Sequence, residues 1–117
     1  MKNNLNQLKV WQKSILLAQT IYTSTTSFPD KEKYGLISQM RRSAVSIASN
    51  IAEGAGRNTK KEFGHFLGIA KGSGYELMTQ VVLSGELHFI ADETKEKLIT
   101  QIDEVHKMIH GLQQKLN

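Results

Sequence analysis

Residues 39–62, QMRRSAVSIASNIAEGAGRNTKKE, carry a helix, its termination and the start of the next helix, and their reading decides the fold. At helical spacing Leu36, Met40, Ala44, Ile47 and Ile51 form one apolar stripe, and Gln39, Ser43, Ser46, Asn50 and Glu53 form a polar stripe that advances by fours and threes. A surface helix needs only the first. The second, built of hydroxyl and amide side chains, predicts a face that meets a neighbouring helix or another subunit through hydrogen bonds. Gly54-Ala55-Gly56 then predicts the left-handed conformations of a C-terminal cap and turn. Thr59-Lys60-Lys61-Glu62 has the form of a capping box, Thr at the N-cap and Glu three residues in, so a further helix is predicted from residue 60.

Working outward, Asp30 is placed to cap the first of these helices, with Glu32 in its first turn, which predicts a helix over about 31–53. Phe28-Pro29 separates it from an earlier helix at about 6–26, since the residue before proline is pushed out of the α region and the Thr/Ser run at 23–27 lowers helix propensity. That earlier helix has two apolar sets. Leu8, Trp11, Ile15, Ala18 and Tyr22 are expected to form the core stripe. Val10, Leu17 and Ile21, roughly 110° away around the axis, extend that face or serve as an oligomer contact.

Downstream, Phe63, Phe66, Leu67, Ala70, Leu77, Val81, Leu83, Leu87 and Ile90 predict a helix to about residue 90. Glycines 64, 68 and 72 fall on one side of it and, with Gly74, each cost on the order of 1 kcal/mol against alanine. Close packing of another helix, within or between subunits, would account for them, and so would a kink. Asp92 can cap a helix at about 93–116 whose Leu98, Ile102, Val105, Ile109, Leu112 and Leu116 step by fours and threes. Short connections and the lack of strand-like alternation predict an all-α fold: one antiparallel up-down-up-down, left-handed four-helix bundle over residues 1–117.

With 117 residues and 39% apolar content there is material for one modest core. The charge is uneven. Residues 1–80 hold eleven Lys/Arg and five Asp/Glu, a net of +6, whereas 81–117 hold four and six, a net of −2, within an overall +4. Such asymmetry suits a nucleic-acid surface and equally suits charge matching between subunits. No cysteine is present, which excludes disulfides and thiolate-held metals. No apolar run is long enough for a signal peptide or a membrane span, so a cytoplasmic protein with no membrane partner is expected.

The basic residues expected to meet nucleic-acid phosphates are Arg41, Arg42, Arg57, Lys60, Lys61 and Lys71, three of them beside a helix N-terminus that favours anions. Pairing of the arginines with Glu53, Glu62 or Glu76 would cancel that surface instead. Gln39, Ser46, Asn50, Glu53, Ser73 and Glu76 are expected to form a structural polar network that fixes helix register, in preference to an acid/base site. No catalytic residue or cofactor is expected. His106 and His110, with Asp103 a turn earlier, have ligand-compatible spacing but lack a fourth ligand, so no metal is expected. Only Trp11, three Tyr and four Phe are present, several of them in core stripes, which gives base stacking little support.

The chain resembles the family of 23S rRNA intervening-sequence proteins. The resemblance lies in Phe28-Pro29, Glu32, Tyr34-Gly35-Leu36, Gln39, Arg41-Arg42, Ser46-Ile47, the run Asn50-Ile51-Ala52-Glu53-Gly54, Arg57, Glu62-Phe63, Phe66-Leu67, Ile69-Ala70, Gly72-Ser73, Glu76-Leu77 and Gln80. It implies a bundle that assembles into a pentameric ring. A relative, the accessory protein of diversity-generating retroelements, implies RNA or DNA and a nucleic-acid-processing protein as partners. Gly74 departs from the family pattern, in which a bulkier helix former is usual. The function expected on these grounds is a non-enzymatic homo-oligomer with a phosphate-binding surface; a protein-interaction or assembly module without nucleic acid is the alternative.

Overall fold

The computed structural model describes residues 4–117; the first three residues of the expected domain lie outside the described residues. Four helices, α1 (Lys9–Thr25), α2 (Leu36–Ala55), α3 (Lys60–Glu86) and α4 (Asp92–Leu116), account for most of the chain, with no strand among the described residues. α1 packs on α2, α2 on α3, α3 on α4 and α4 back on α1, in a body of 44 × 23 × 21 Å. Twenty-seven residues at 1.5 Å each make α3 roughly 40 Å long, so it runs the length of the bundle. The core is one cluster in which Leu17, Ile21, Met40, Ile47, Ile51, Phe63, Leu67, Leu77, Leu98, Ile102 and Ile109 are sealed from solvent.

The face of α1 differs from expectation. Val10, Leu17 and Ile21 are its buried side, joined by Ser14 and Thr25, while Trp11, Ile15 and Ala18 are half-buried and Tyr22 is 44% exposed. Ser14 and Thr25 sit in the core at little cost because each hydroxyl donates back along the helix, to the carbonyls of Trp11 (2.7 Å) and Ile21 (2.8 Å). α1 thus turns its less aromatic side inward. The wider set lies along the margin, with Leu8, Trp11 and Ala18 still touching the core.

Helix ends also depart from expectation. Asp30 does not cap α2: residues Asp30–Glu32 form a 3-10 turn and α2 starts at Leu36. Glu32 takes the capping role, its carboxylate accepting from the Leu36 amide at 3.2 Å, and Gly35 leaves room for it, since a Cβ there would stand 3.0 Å from that oxygen. Gly54 and Gly56 are not left-handed; no glycine in the described chain has positive φ. The capping box at α3 forms as expected, Thr59 Oγ1 accepting from the Glu62 amide at 3.1 Å. α3 stops at Glu86 rather than 90 because His88 adopts the left-handed conformation (φ 61°) and the Phe89 amide reaches back to the Ser84 carbonyl at 2.9 Å. Leu83 and Leu87, expected in the core, are about half exposed. Asp92 is the first residue of α4 rather than its cap, and with Glu93 it places negative charge in the first turn.

The glycines of α3 fall into two groups. A Cβ at Gly64 or Gly72 would meet nothing within 4 Å, and at Gly68 only Gln113 Nε2 at 3.9 Å, so no helix of the same chain closes on that side. Gly74 is the crowded one. α3 runs through it without a break, and the His106 ring of α4 occupies the space a Cβ would need, its Cδ2 standing 2.9 Å from that position.

Candidate nucleic-acid interface

The six basic residues do not form one patch. Arg41, half-buried in the second turn of α2, donates from Nε to Thr25 Oγ1 (3.0 Å) and from Nη2 to the Tyr22 carbonyl (3.3 Å), and its guanidinium lies 4.6 Å from the Tyr22 ring centroid. Its charge thus meets the carbonyl end of α1, where cations are favoured. Arg42 is exposed. Arg57 sits in the α2–α3 turn with Glu53 at 3.0 Å and Glu62 at 3.9 Å, its guanidinium 4.8 Å from the Phe66 ring. Of the three arginines it alone is neutralised by carboxylates. Among the described residues Arg42, Lys60, Lys61 and Lys71 have no carboxylate within 4.0 Å.

These cations gather in two grooves. Lys60, Lys61 and Lys71 line one of about 670 Å³ between the first turns of α3 and the last turns of α4, with Gly64 open beneath them and His110 and Gln113 opposite. Arg41 and Arg42 line another of about 480 Å³ between the end of α1 and the start of α2, with Lys33, Tyr22 and Tyr34. From Arg42 to the end of α2 is roughly 20 Å along the axis. Lys33 escapes a search for basic clusters because it alternates with acidic residues, Asp30-Lys31-Glu32-Lys33. Tyr22, expected in the core stripe of α1, is 44% exposed, and Tyr34 is 86% exposed.

The expected polar network is smaller than the six residues proposed for it. Ser46 and Ser73 hydroxyls meet at 2.8 Å across α2 and α3, and Asn50 Nδ2 donates to the Ser46 carbonyl (2.9 Å) and hydroxyl (3.1 Å). Glu53 belongs to Arg57 instead, and Gln39 and Glu76 are exposed. Ser84, which the sequence did not single out, is fully buried; its hydroxyl donates to the Gln80 carbonyl (2.8 Å) and lies 3.4 Å from Met40 Sδ.

The two histidines of α4 serve different surroundings. His110 is exposed and faces Gln114 at 3.4 Å, beside the lysine groove. His106 packs its ring against Tyr75, centroids 4.4 Å apart, and into the notch of Gly74, where Nε2 is buried without a hydrogen-bond partner. Burial pushes its pKa below the ordinary histidine value; the Lys71 backbone and the Asp103 charge oppose that shift without reversing it. No group of three or more potential metal ligands occurs among the described residues, and no helix there is long and apolar enough to cross a membrane.

No curated protein matches the chain. Among solved structures it is similar to a protein of unknown function from the S23 ribosomal protein family of Bacteroides thetaiotaomicron, at 24% identity over 86% of this chain and 94% of that one, with a TM-score of 0.77; this likeness concerns the fold. The family model described as 23S rRNA-intervening sequence protein matches residues 6–111, nearly the whole length. With its four helices and the NIAEG run at the α2–α3 junction, the chain belongs to the 23S rRNA-intervening sequence protein family.

Proposed function

We propose that this protein is a non-enzymatic, self-associating helical bundle of the cytoplasm that binds nucleic-acid phosphates through its basic grooves. The observation that carries the reading is the set of four cations, Arg42, Lys60, Lys61 and Lys71, left without carboxylate partners among the described residues while Arg57 is paired with Glu53 and Glu62. Antiparallel, left-handed packing suits the scaffold. The pairs Gly54 with Phe63, Ser46 with Ser73 and Met40 with Ser84 support the antiparallel order, since one number falls as the other rises. Self-association into a ring, the pentamer implied by the resemblance, is supported by apolar side chains left in solvent. Ile69 and Leu83, with Leu87 just past the helix end, are each 40% exposed or more and fall on the side of α3 that carries Glu76. A ring would multiply a modest charge per chain into a strong local field.

Fluorescence anisotropy with RNA and DNA at low and raised salt tests the binding, which should weaken steeply with salt and depend little on sequence. Absence of binding at low salt refutes it. The native particle mass tests self-association. The same exposed apolar side favours a second reading, an assembly module whose partner is a protein, such as a nucleic-acid-processing enzyme. Capture from lysate that survives nuclease treatment, together with no direct binding to nucleic acid, would establish that reading instead.

A further inference from the structure

We propose that the groove between the end of α1 and the start of α2 seats an unpaired stretch of nucleic acid, one base lying on the Tyr34 ring and adjacent phosphates held by Arg42 and Lys33. This rests on the reading that the protein binds nucleic acid and narrows it to single strands. The two basic grooves of the chain differ in one respect that bears on the ligand. The lysine groove has no tyrosine, phenylalanine or tryptophan in its lining, whereas the arginine groove has Tyr22 and Tyr34. A backbone-only site for duplex needs cations alone. Single-strand sites join a cationic track to aromatic faces, because an unpaired base exposes a π surface that a paired and stacked base does not.

The chemistry of the lining is one-sided. All of its charged residues, Lys33, Arg41 and Arg42, are cations, and none of them is paired to a carboxylate among the described residues. Tyr34 is 86% exposed, with the Lys33 ammonium over its ring at 5.4 Å from the centroid, so a base that takes that face meets a cation able to turn to the adjacent phosphate. Arg41 uses two of its five N–H donors on Thr25 and the Tyr22 carbonyl and stacks on Tyr22, which fixes its position and leaves donors for a phosphate. A groove of about 480 Å³ is of the size that holds a small-molecule-sized group such as a nucleotide.

The test uses the full chain and two labelled probes, an oligothymidylate of about twelve nucleotides and a hairpin duplex of similar length, read by anisotropy at low and raised salt. The wild type is expected to prefer oligothymidylate. Tyr34→Leu should weaken that probe about tenfold and leave the duplex within about twofold, while Tyr34→Phe, which keeps the ring face, retains the preference. Arg42→Gln should weaken both probes. Tyr34 is at the surface, so neither substitution threatens the core. If the duplex binds in a salt-sensitive way but Tyr34→Leu affects both probes equally or neither, the single-strand seat is refuted and the wider proposal stands. Binding of neither probe refutes both. Displacement of oligothymidylate by polyglutamate at equal charge concentration would assign the groove to acidic peptides and overturn the seat.

Discussion

Gly54 and Gly56 stand two residues apart, and the structure gives them opposite consequences on substitution. A Cβ at Gly54 would lie 2.9 Å from Phe63 Cδ1, 2.9 Å from Phe66 Cβ and 3.1 Å from the Phe63 carbonyl oxygen. Two of those three atoms are fixed to the α3 main chain, so relief requires α3 to move away from α2. The helix propensity gained on Gly54→Ala is about 1 kcal/mol, whereas overpacking a core contact costs about 1–3 kcal/mol before any helix displacement is counted. Because the obstacles are backbone and Cβ, we expect the high end and a net loss of about 1–2 kcal/mol. At Gly56, φ is −85° and a Cβ would meet only the Ala52 and Glu53 carbonyl oxygens at 3.6 and 3.7 Å, ordinary contact. Gly56→Ala should therefore stabilise the protein by about 0.5–1 kcal/mol through the unfolded chain. Thermal unfolding by circular dichroism, at one protein concentration because association would add a mass-action contribution, should show midpoints several degrees apart and on opposite sides of the wild type. Adding Phe63→Leu to Gly54→Ala should recover little, since the Phe63 carbonyl and Phe66 Cβ remain. Destabilisation by Gly56→Ala would mean that this turn is left-handed, as the Gly-Ala-Gly sequence first suggests, and would refute the reasoning.

Burial holds the pKa of His106 below 6.5, so as pH falls through 6.5 the unfolded chain takes up that proton before the folded one does. The contribution of His106 is therefore intact above 6.5 and is lost on acidification towards its lower folded pKa; His106→Gln should shrink the drop in urea midpoint between about pH 7.5 and about pH 5.5, and an unchanged drop would refute this. Ser73→Ala removes the partner of Ser46 in a half-buried seam and should cost about 1 kcal/mol, with the Ser46→Ala, Ser73→Ala pair costing less than the two singles together by denaturant titration. For nucleic acid, Arg42→Gln should lower the salt slope of binding by about one, while Arg57→Gln, already paired with two carboxylates, should leave it unchanged; equal effects would mean that the ion pairs open on binding.

What the sequence reveals depends on whether one stretch of chain holds all of the competing choices. The fourth helix has one apolar stripe and no rival, and Leu98, Ile102, Val105 and Ile109 are buried as their spacing requires. The capping box at Thr59 is local chemistry and forms as written. In α1 two apolar sets compete, and only the partner helices choose between them; the aromatic set loses because Ser14 and Thr25, which look polar in sequence, satisfy their own hydroxyls and can be buried. Gly54 reads as turn chemistry, but its reason is Phe63 and Phe66 on the following helix. Gly74, likewise, is explained by a ring thirty-two positions later, at His106, and no local pattern announces such a contact. The cations are legible as residue types and not as groups, since proximity in sequence joined Arg57 to Lys60 and Lys61 while its own carboxylates took it out of use.

The separation of the two grooves sets how their charges act. Arg42 and the first turn of α3 are roughly 20 Å apart along the bundle, and the two grooves share no lining residue, Lys71 lying with α4 and Arg42 with Tyr22 of α1. At physiological ionic strength the Debye length is about 8 Å, so the grooves reinforce each other little through the field and each presents only three cations. At about 0.01 M salt the screening length grows to about 30 Å, and one chain acts as a single basic surface. Tight binding at physiological salt then demands either a strand long enough to lie in both grooves or neighbouring copies that bring like grooves within a screening length. Salt dependence measured on short and long oligonucleotides separates these cases: the first makes affinity rise sharply with strand length, and the second makes it rise with protein concentration at fixed length.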